Sequence, residues 1–123
     1  MMRPIMRIIS GGTTSEVYGG RFTGAVRLEM LDEAPVEGAP DIARVSFDDG
    51  ACTFWHRHPG GQKLLVLEGT GRIGTEDGET LLEAGTYVDT EPMHRHYHGA
   101  APGHACTFLA ITWGTTEWEE NAP

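Results

Sequence analysis

Residues 50–62 of the chain read GACTFWHRHPGGQ, and His56 and His58 stand two positions apart within this stretch. A β-strand sends residues i and i+2 to the same face, about 6 to 7 Å apart, so both imidazoles can reach one metal ion. A Pro-Gly-Gly turn at residues 59–61 then bends the chain and brings back Gln62, whose side chain offers an oxygen. Two imidazoles and one amide oxygen predict a compact set of neutral ligands for a divalent metal.

A second histidine cluster lies downstream, in the run His94-Arg95-His96-Tyr97-His98, and can supply a fourth ligand. His94, His96 and His98 share one face of an extended segment, so their order along the chain leaves all three as candidates. By default, His94 and His104 are interpreted as loop histidines with no special role.

The composition is that of one globular domain of 123 residues, 39% hydrophobic and 22% charged. Its formal net charge of -9 argues against nucleic acids and anionic membrane surfaces as partners, and no apolar run approaches the roughly 20 residues that span a bilayer. The start of the chain lacks the apolar core of a signal peptide. We therefore expect a cytoplasmic protein in which Cys52 and Cys106 are reduced core residues.

Alternation of apolar and polar residues predicts strands along most of the chain. The clearest are residues 22–31, 42–47, 51–58, 63–67, 72–75 and 105–113. Residues 68–71 are expected to form a turn, and an Asp-Gly pair at 77–78 predicts a hairpin. No convincing helix longer than a turn or two is present, so the pattern predicts an all-β small barrel or a double-sheet jelly roll.

This pattern divides the chain into three parts. Residues 1–20, with Ile5, Ile8 and Ile9, are expected to form an N-terminal arm or edge strand, and residues 21–114 the barrel. Residues 115–123 are interpreted as an acidic C-terminal tail. We expect a solvated end there, with Trp118 packing back onto the barrel as the alternative.

The spacing of these residues resembles two motifs of the cupin superfamily. Four residues fall on the first motif: Gly50, His56, His58 and Gly69. Gln62 stands where most cupins have glutamate. Gly85, Pro92 and His96 resemble the second motif, which implies that His96 is the fourth metal ligand. His98 then becomes a residue of the pocket wall and the best remaining candidate for catalytic proton transfer.

Within this superfamily, the chain resembles the small bacterial cupins that include the manganese-dependent (R)-selective hydroxynitrile lyases. The resemblance rests on Gln62 and on residues 22–27, 55–59 and 96–102. It implies a single-domain cupin barrel (a double-stranded β-helix or jelly roll), a manganese ion held by three histidines and one glutamine, and a homodimer.

One position departs from this subgroup. Its lyase members carry a histidine on the last strand, implied to act as the base on the cyanohydrin hydroxyl, and Phe108 stands there in this chain. A phenyl ring cannot take a proton, so efficient cyanohydrin cleavage is not expected. Ala43 and Val45 match the family's small pocket-lining positions, and strand parity predicts that Phe54 and Phe108 line and narrow the same pocket.

Gln62 also sets the charge of the predicted site. A glutamate ligand would leave a divalent ion with a net charge of about +1, whereas glutamine leaves the full +2. Such a site favours anionic ligands and lowers the pKa of a bound water further. Nitrogen and oxygen ligands suit Mn, Fe, Ni, Co or Zn, and the resemblance favours Mn.

Three hypotheses for the function follow. The first is a small-molecule enzyme that uses the metal as a Lewis acid, with lyase or carbonyl chemistry implied by the resemblance. The second is a cupin that binds a metal or a small molecule without catalysis, because one fold serves many functions. The third is an iron-dependent dioxygenase.

Overall fold

The computed structural model describes residues 6–16 and 18–123, and all of the regular structure in these residues is β-strand. The strands are β1 (Thr13–Thr14), β2 (Phe22–Thr23), β3 (Val26–Asp32), β4 (Asp41–Phe47), β5 (Cys52–Thr53), β6 (His56–Arg57), β7 (Gln62–Thr75), β8 (Gly78–Glu83), β9 (Tyr87–Thr90), β10 (Tyr97–Ala100), β11 (Cys106–Thr112) and β12 (Glu117–Trp118). Within the described residues, no helix is long and apolar enough to span a bilayer.

Ten strands form one curled antiparallel sheet, in which neighbours follow the order β1-β3-β4-β11-β7-β10-β5-β2, and β8 and β9 also pair with β7. β6 and β12 form a separate antiparallel pair. The predicted all-β, single-domain barrel architecture is therefore confirmed. The predicted hairpin is present as well, since Thr75 and Gly78 pair across a two-residue turn between β7 and β8.

The long strand β7 connects the two sides of the barrel. Residues 62–69 pair with β11, residues 62–65 also with β9, and residues 70–75 pair with β8. Gly69, where the strand passes between the two sides, has φ +78°, and a Cβ there would lie 2.0 Å from the carbonyl oxygen of Ala105. The expectation of a turn at residues 68–71 was wrong, because this glycine lets the strand bend without ending.

The core lies inside the barrel, between the inner faces of the strands. β4 and β11 are cross-strand neighbours, with Phe108 opposite Val45, and their inward positions alternate with more exposed ones. Their buried apolar side chains are Ala43, Val45, Phe47, Cys106, Phe108 and Ala110. Cys52 and Cys106 are both free and buried, as expected.

The segment predicted as one strand over residues 51–58 is interrupted. The backbone N–H of Phe54 donates to the carbonyl of Arg21, and that of Trp55 to the carbonyl of Asn121. These bonds take both groups out of the main ladder, so β5 ends at Thr53 and β6 begins at His56. The interruption changes which side chains of this segment share a face.

The two ends of the chain differ from expectation in part. Residues 1–20 do contain an edge strand, but it is β1, which pairs Thr13 and Thr14 with β3. Ile8 and Ile9 are exposed and lie outside the strands of the described residues, and Ile5 is not among the described residues. At the other end, a solvated tail was the wrong expectation, because β12 pairs with β6 and places Trp118 opposite His56. The alternative, in which Trp118 packs back onto the barrel, is what the structure shows.

Candidate metal centre

Two segments of backbone bring three histidines together. His56 and His96 form an isolated antiparallel bridge in which each N–H donates to the other's carbonyl, both at 2.9 Å. His58 follows β6 directly. The ring nitrogens of these three histidines that could hold a metal all lie within 4.8 Å of one another, and the three side chains are buried.

Each of the three imidazole rings has its Nδ1 atom beside an oxygen. Nδ1 of His56 lies 2.8 Å from the carbonyl oxygen of Phe54, and Nδ1 of His96 lies 2.9 Å from that of His94. Because a carbonyl can only accept, both rings carry their proton on Nδ1, which leaves Nε2 with a lone pair. Nδ1 of His58 lies 3.1 Å from the hydroxyl oxygen of Thr116.

Gln62 is the first residue of β7 and completes the cluster. Its Nε2 donates to the hydroxyl oxygen of Thr112 at 3.0 Å, and its Oε1 lies 3.2 Å from Nε2 of His96. Two acceptor atoms therefore face each other, an arrangement that a shared cation stabilises. The turn before Gln62 is tight, since Gly61 has φ +86° and a Cβ there would lie 2.9 Å from the carbonyl oxygen of Thr90.

Burial keeps these histidines neutral, which is the form that binds metals. It lowers the pKa of His58 to about 3, with the nearby charge of His96 adding to the effect. Burial likewise lowers the pKa of His96 to about 4. The pKa of His56 is held well below 6.5, first by burial and then by the charges of the neighbouring histidines.

The donor set fits a divalent transition metal. Nε2 of His58 is buried and has no hydrogen-bond partner among the described residues, and it belongs to the same cluster as His56 and His96. An unpaired buried acceptor costs about 1–3 kcal/mol, a cost that a cation beside it would remove. Three imidazole nitrogens and one amide oxygen are donors of the type that Mn, Fe, Co, Ni and Zn accept.

His98, the predicted proton-transfer residue, lies on β10 next to this cluster. Its ring centroid is 5.5 Å from that of His56 and 5.2 Å from that of Phe108. Its Nδ1 is buried with no hydrogen-bond partner in the part of the chain that the structure describes, and burial holds its pKa well below 6.5. His94 and His104 are exposed and lie outside the cluster.

A small cavity adjoins the histidines. The space that the centres of water molecules can occupy in it is about 40 Å³. At roughly 10–15 Å³ for each water, it holds about three. Its wall includes His56, His58, Gln62 and His98, together with Ala43 and Val45 as predicted pocket residues. His96 is fully buried behind this wall.

Phe54 and Phe108 do not line this cavity, contrary to expectation. The break after β5 changes the parity of the segment, so that Thr53 faces the cavity where Phe54 was expected. Phe108 is fully buried behind the wall, with its ring centroid 5.7 Å from that of Phe47. Phe108 therefore supports His98 from the core.

Several residues of the wall were not predicted. Asp41 provides the only carboxylate among the described lining residues, and it is the cross-strand neighbour of Thr112. Asp41 lies two residues before Ala43 on β4 and therefore shares a face with Ala43 and Val45, so strand alternation could have identified it as a wall residue. Thr116 belongs to the C-terminal segment, and no local pattern in the sequence marks it as part of a site.

An outer groove of about 880 Å³ lies next to the cavity and opens to solvent. The loop of residues 34–39 and residues 112–116 form much of its wall. The groove and the cavity share five lining residues: Tyr18, Asp41, Thr112, Thr116 and Trp118. These residues lie where the outer groove adjoins the cavity.

Comparison with known proteins gives consistent matches. Residues 43–112 match the sequence model of the cupin domain. The (R)-mandelonitrile lyase of Granulicella tundricola is 44% identical over 91 residues, which cover 73% of this chain and 70% of that protein.

Solved structures agree with this match. A cupin-like protein from Thermotoga maritima superposes with a TM-score of 0.79 at 32% identity, over 93% of this chain and 89% of its own. The polyketide cyclase RemF from Streptomyces resistomycificus superposes with a TM-score of 0.62 at 17% identity, over 91% of this chain and 79% of its own. The likeness to RemF concerns the fold alone.

Proposed function

Because this chain belongs to the cupin family, we propose that His56, His58 and His96 bind a divalent transition metal together with Gln62. The observation that carries the proposal is that ring nitrogens of the histidines and the side-chain oxygen of Gln62 point toward one another with no donor between them. Nε2 of His58 is buried without a partner in the described part of the chain, and Nε2 of His96 faces Oε1 of Gln62 at 3.2 Å. The resemblance to the hydroxynitrile lyase subgroup favours manganese.

We further propose that the metal-loaded protein is an enzyme acting on a small organic molecule. A bound ion would supply Lewis acidity, which polarises a hydroxyl or carbonyl oxygen. Ala43 and Val45 give the cavity an apolar wall on one side. His98 lines the cavity beside the histidine cluster, and we propose that it takes a proton from the substrate.

Asp41 is a second candidate for proton transfer. It lines both the cavity and the outer groove, whereas His98 lines the cavity alone. The row Asp41, Thr112 and Gln62 crosses three neighbouring strands at the same level of the barrel. A substrate entering from the groove would therefore pass the carboxylate before it reached the metal ligands.

Lyase or carbonyl chemistry is the reaction class that we favour. It is supported by the 44% identity to a protein named (R)-mandelonitrile lyase. The departure at Phe108 opposes efficient cyanohydrin cleavage, because this position offers no proton acceptor. We therefore propose a substrate with a hydroxyl or carbonyl oxygen, for which a cyanohydrin is only a probe.

Metal binding without catalysis is the second candidate. The small size of the cavity, about 40 Å³, favours it, since little beyond a few water-sized groups fits there. The junction of groove and cavity at Tyr18, Thr116 and Trp118 would then have to widen for any larger molecule to reach the site. No feature of the described residues favours the dioxygenase over these two.

Chelator competition tests the proposed site. Metal-free protein is titrated with Mn(II), Fe(II), Ni(II) and Zn(II), and the same titrations are made with His56→Ala, His96→Ala and the exposed control His104→Ala. We expect about one ion per chain in the wild type and in the control, and affinity at least about tenfold weaker in the other two. Equal affinity in all four proteins would refute the proposal.

Oxygen uptake by the Fe(II)-loaded protein with a substrate panel separates the dioxygenase from the lyase.

We also propose a homodimer, as the resemblance implies, and a cytoplasmic location, as expected from the reduced cysteines. The homodimer is supported by an apolar row on the outer face of the barrel, where Leu109, Leu65 and Tyr87 are successive cross-strand neighbours. Leu67, two residues farther along β7, is exposed on the same face. Light scattering during size-exclusion chromatography should give twice the mass of the chain, and Leu65→Glu should reduce it to that of one chain.

A further inference from the structure

The C-terminal segment of residues 115–121 runs along the metal centre. β12 pairs with β6 so that Glu117 lies opposite Arg57 and Trp118 opposite His56. Trp55 forms two backbone hydrogen bonds with this segment. The N–H of Glu119 donates to the carbonyl of Trp55 at 2.9 Å, and the N–H of Trp55 donates to the carbonyl of Asn121 at 3.2 Å. The segment is therefore an added strand of the site.

The acidic side chains of this segment are paired. Glu117 forms an ion pair with Arg57 at 3.1 Å, and Glu120 one with Arg21 at 3.0 Å. Glu119 binds Arg95 through both carboxylate oxygens. Each of these exposed pairs contributes little alone. Only the Glu117–Arg57 pair joins β12 to β6, and the other two tie the segment to residues elsewhere in the chain.

Two side chains of the segment reach the histidines. The hydroxyl oxygen of Thr116 lies 3.1 Å from Nδ1 of His58, and the ring centroid of Trp118 lies 4.6 Å from that of His56. The hydroxyl of Tyr18 lies 3.4 Å from the same oxygen of Thr116. Thr116 thus joins His58 to a segment nearly 60 residues later in the chain.

His58 differs from the other two histidines in how its ring is held. Nδ1 of His56 and Nδ1 of His96 each bond to a backbone carbonyl two residues earlier, and no substitution of a side chain removes these acceptors. Nδ1 of His58 bonds to a side chain only. A hydroxyl can accept or donate, so this contact alone does not fix which nitrogen of His58 carries the proton.

We propose that Thr116 is a positioning residue of the metal centre. Its hydroxyl accepts from Nδ1–H of His58 and so presents the lone pair of Nε2 to the other ligands. Partners of this kind typically change metal affinity by about 10–100-fold when they are removed. The C-terminal segment is then a functional wall of the site, and metal affinity depends on its docking.

The test uses the full-length protein with three substitutions. Thr116→Val keeps the shape and removes the hydroxyl, Thr116→Ser keeps the hydroxyl, and Thr115→Val changes the exposed neighbour as a control. Long-range ¹H–¹⁵N spectra of metal-free protein with labelled histidine report the tautomer of His58. Chelator competition with Zn(II) and Mn(II) reports the affinity.

We expect His58 to carry its proton on Nδ1 in the wild type, Thr116→Ser and Thr115→Val. Thr116→Val should shift the proton toward Nε2 and weaken metal affinity by at least about tenfold, and Thr116→Ser should restore most of it. Wild-type tautomer and affinity in Thr116→Val would overturn the inference. If that variant does not fold, Thr116→Ala serves in its place with the same two outcomes.

This inference rests on the proposed metal site, but the two can fail separately. If the wild type binds no metal, the proposed function fails, while the tautomer of His58 in metal-free protein still tests the role of Thr116. If metal binds and the tautomer does not depend on Thr116, only the present inference fails.

Discussion

Nε2 of His96 and Oε1 of Gln62 face each other at 3.2 Å, and both are acceptors. The orientation of each group is fixed from behind, by the carbonyl of His94 and by the hydroxyl of Thr112. In the absence of a cation, two facing lone pairs repel. This pair is therefore the clearest sign that the buried cluster is built around a positive charge.

Substitution of Gln62 tests whether its side-chain oxygen binds the metal and whether its lack of charge sets the net charge of the site. Gln62→Leu removes the donor and should weaken metal affinity by at least about tenfold. Gln62→Glu keeps an oxygen and adds a negative charge, so we expect tighter metal binding and weaker binding of azide, because the site charge falls from about +2 to about +1. Chelator competition and the visible spectrum of the Co(II)-loaded protein measure the two effects. Wild-type metal affinity in Gln62→Leu would exclude Gln62 as a ligand.

The metal-free protein should lose stability in mild acid. The folded protein holds the pKa of His58 at about 3 and that of His96 at about 4, whereas an unfolded histidine titrates near 6.5. Between these values the unfolded state binds more protons, so stability is full above about pH 6.5 and falls as the pH drops toward 4. With both histidines contributing, we expect a loss on the order of 5 kcal/mol in the free energy of unfolding between pH 6.5 and 4.5.

Urea unfolding of the metal-free protein at a series of pH values from 8 to 4.5 measures this loss. At pH 7.5, a metal at one hundred times its dissociation constant should add about 2.7 kcal/mol. A free energy of unfolding that does not change from pH 7 to 5 would contradict the burial of neutral histidines.

Phe108→His should alter the reaction of the metal-loaded protein. In the wild type, Phe108 packs behind His98 and provides no proton acceptor. The variant places an imidazole directly behind His98, where it could assist proton transfer only through that residue. We expect increased release of benzaldehyde from mandelonitrile, followed by absorbance, whereas Phe108→Leu should show none. Equal rates in the histidine and leucine variants would count against lyase chemistry at this position.

Gly69→Ala should destabilise the barrel at the bend of β7. The new Cβ would lie 2.0 Å from the carbonyl oxygen of Ala105, and the residue has φ +78°. We expect a loss of about 3 kcal/mol or more in the free energy of unfolding. Gly38→Ala is the matched control, since Gly38 has φ +84° with nothing within 4 Å and should cost about 1–2 kcal/mol.

Local spacing predicted much of the site because its main segments are short. His56 and His58 stand two residues apart, and a single turn brings back Gln62, so the geometry of one strand and one turn placed them. The choice of His96 over His94 and His98 needed the family motif. In the structure, His96 alone of these three joins the cluster with His56 and His58.

Long-range pairing explains what the sequence did not reveal. Thr116 reaches His58 only because β12, two residues long and acidic, pairs with β6, and hydrophobic patterning cannot distinguish such a segment from a solvated end. Phe54 was assigned to the wrong face because backbone bonds to Arg21 and Asn121 interrupt the strand. Both contacts join residues far apart in the sequence.

Anomalous diffraction from crystals of the Mn(II)-loaded protein, recorded near the manganese absorption edge, locates the bound ion. We expect one peak per chain, bound by Nε2 of His56, His58 and His96 and by Oε1 of Gln62. A fully loaded crystal with no peak at this position, or with its peak on His94 or His104 instead, would contradict this assignment.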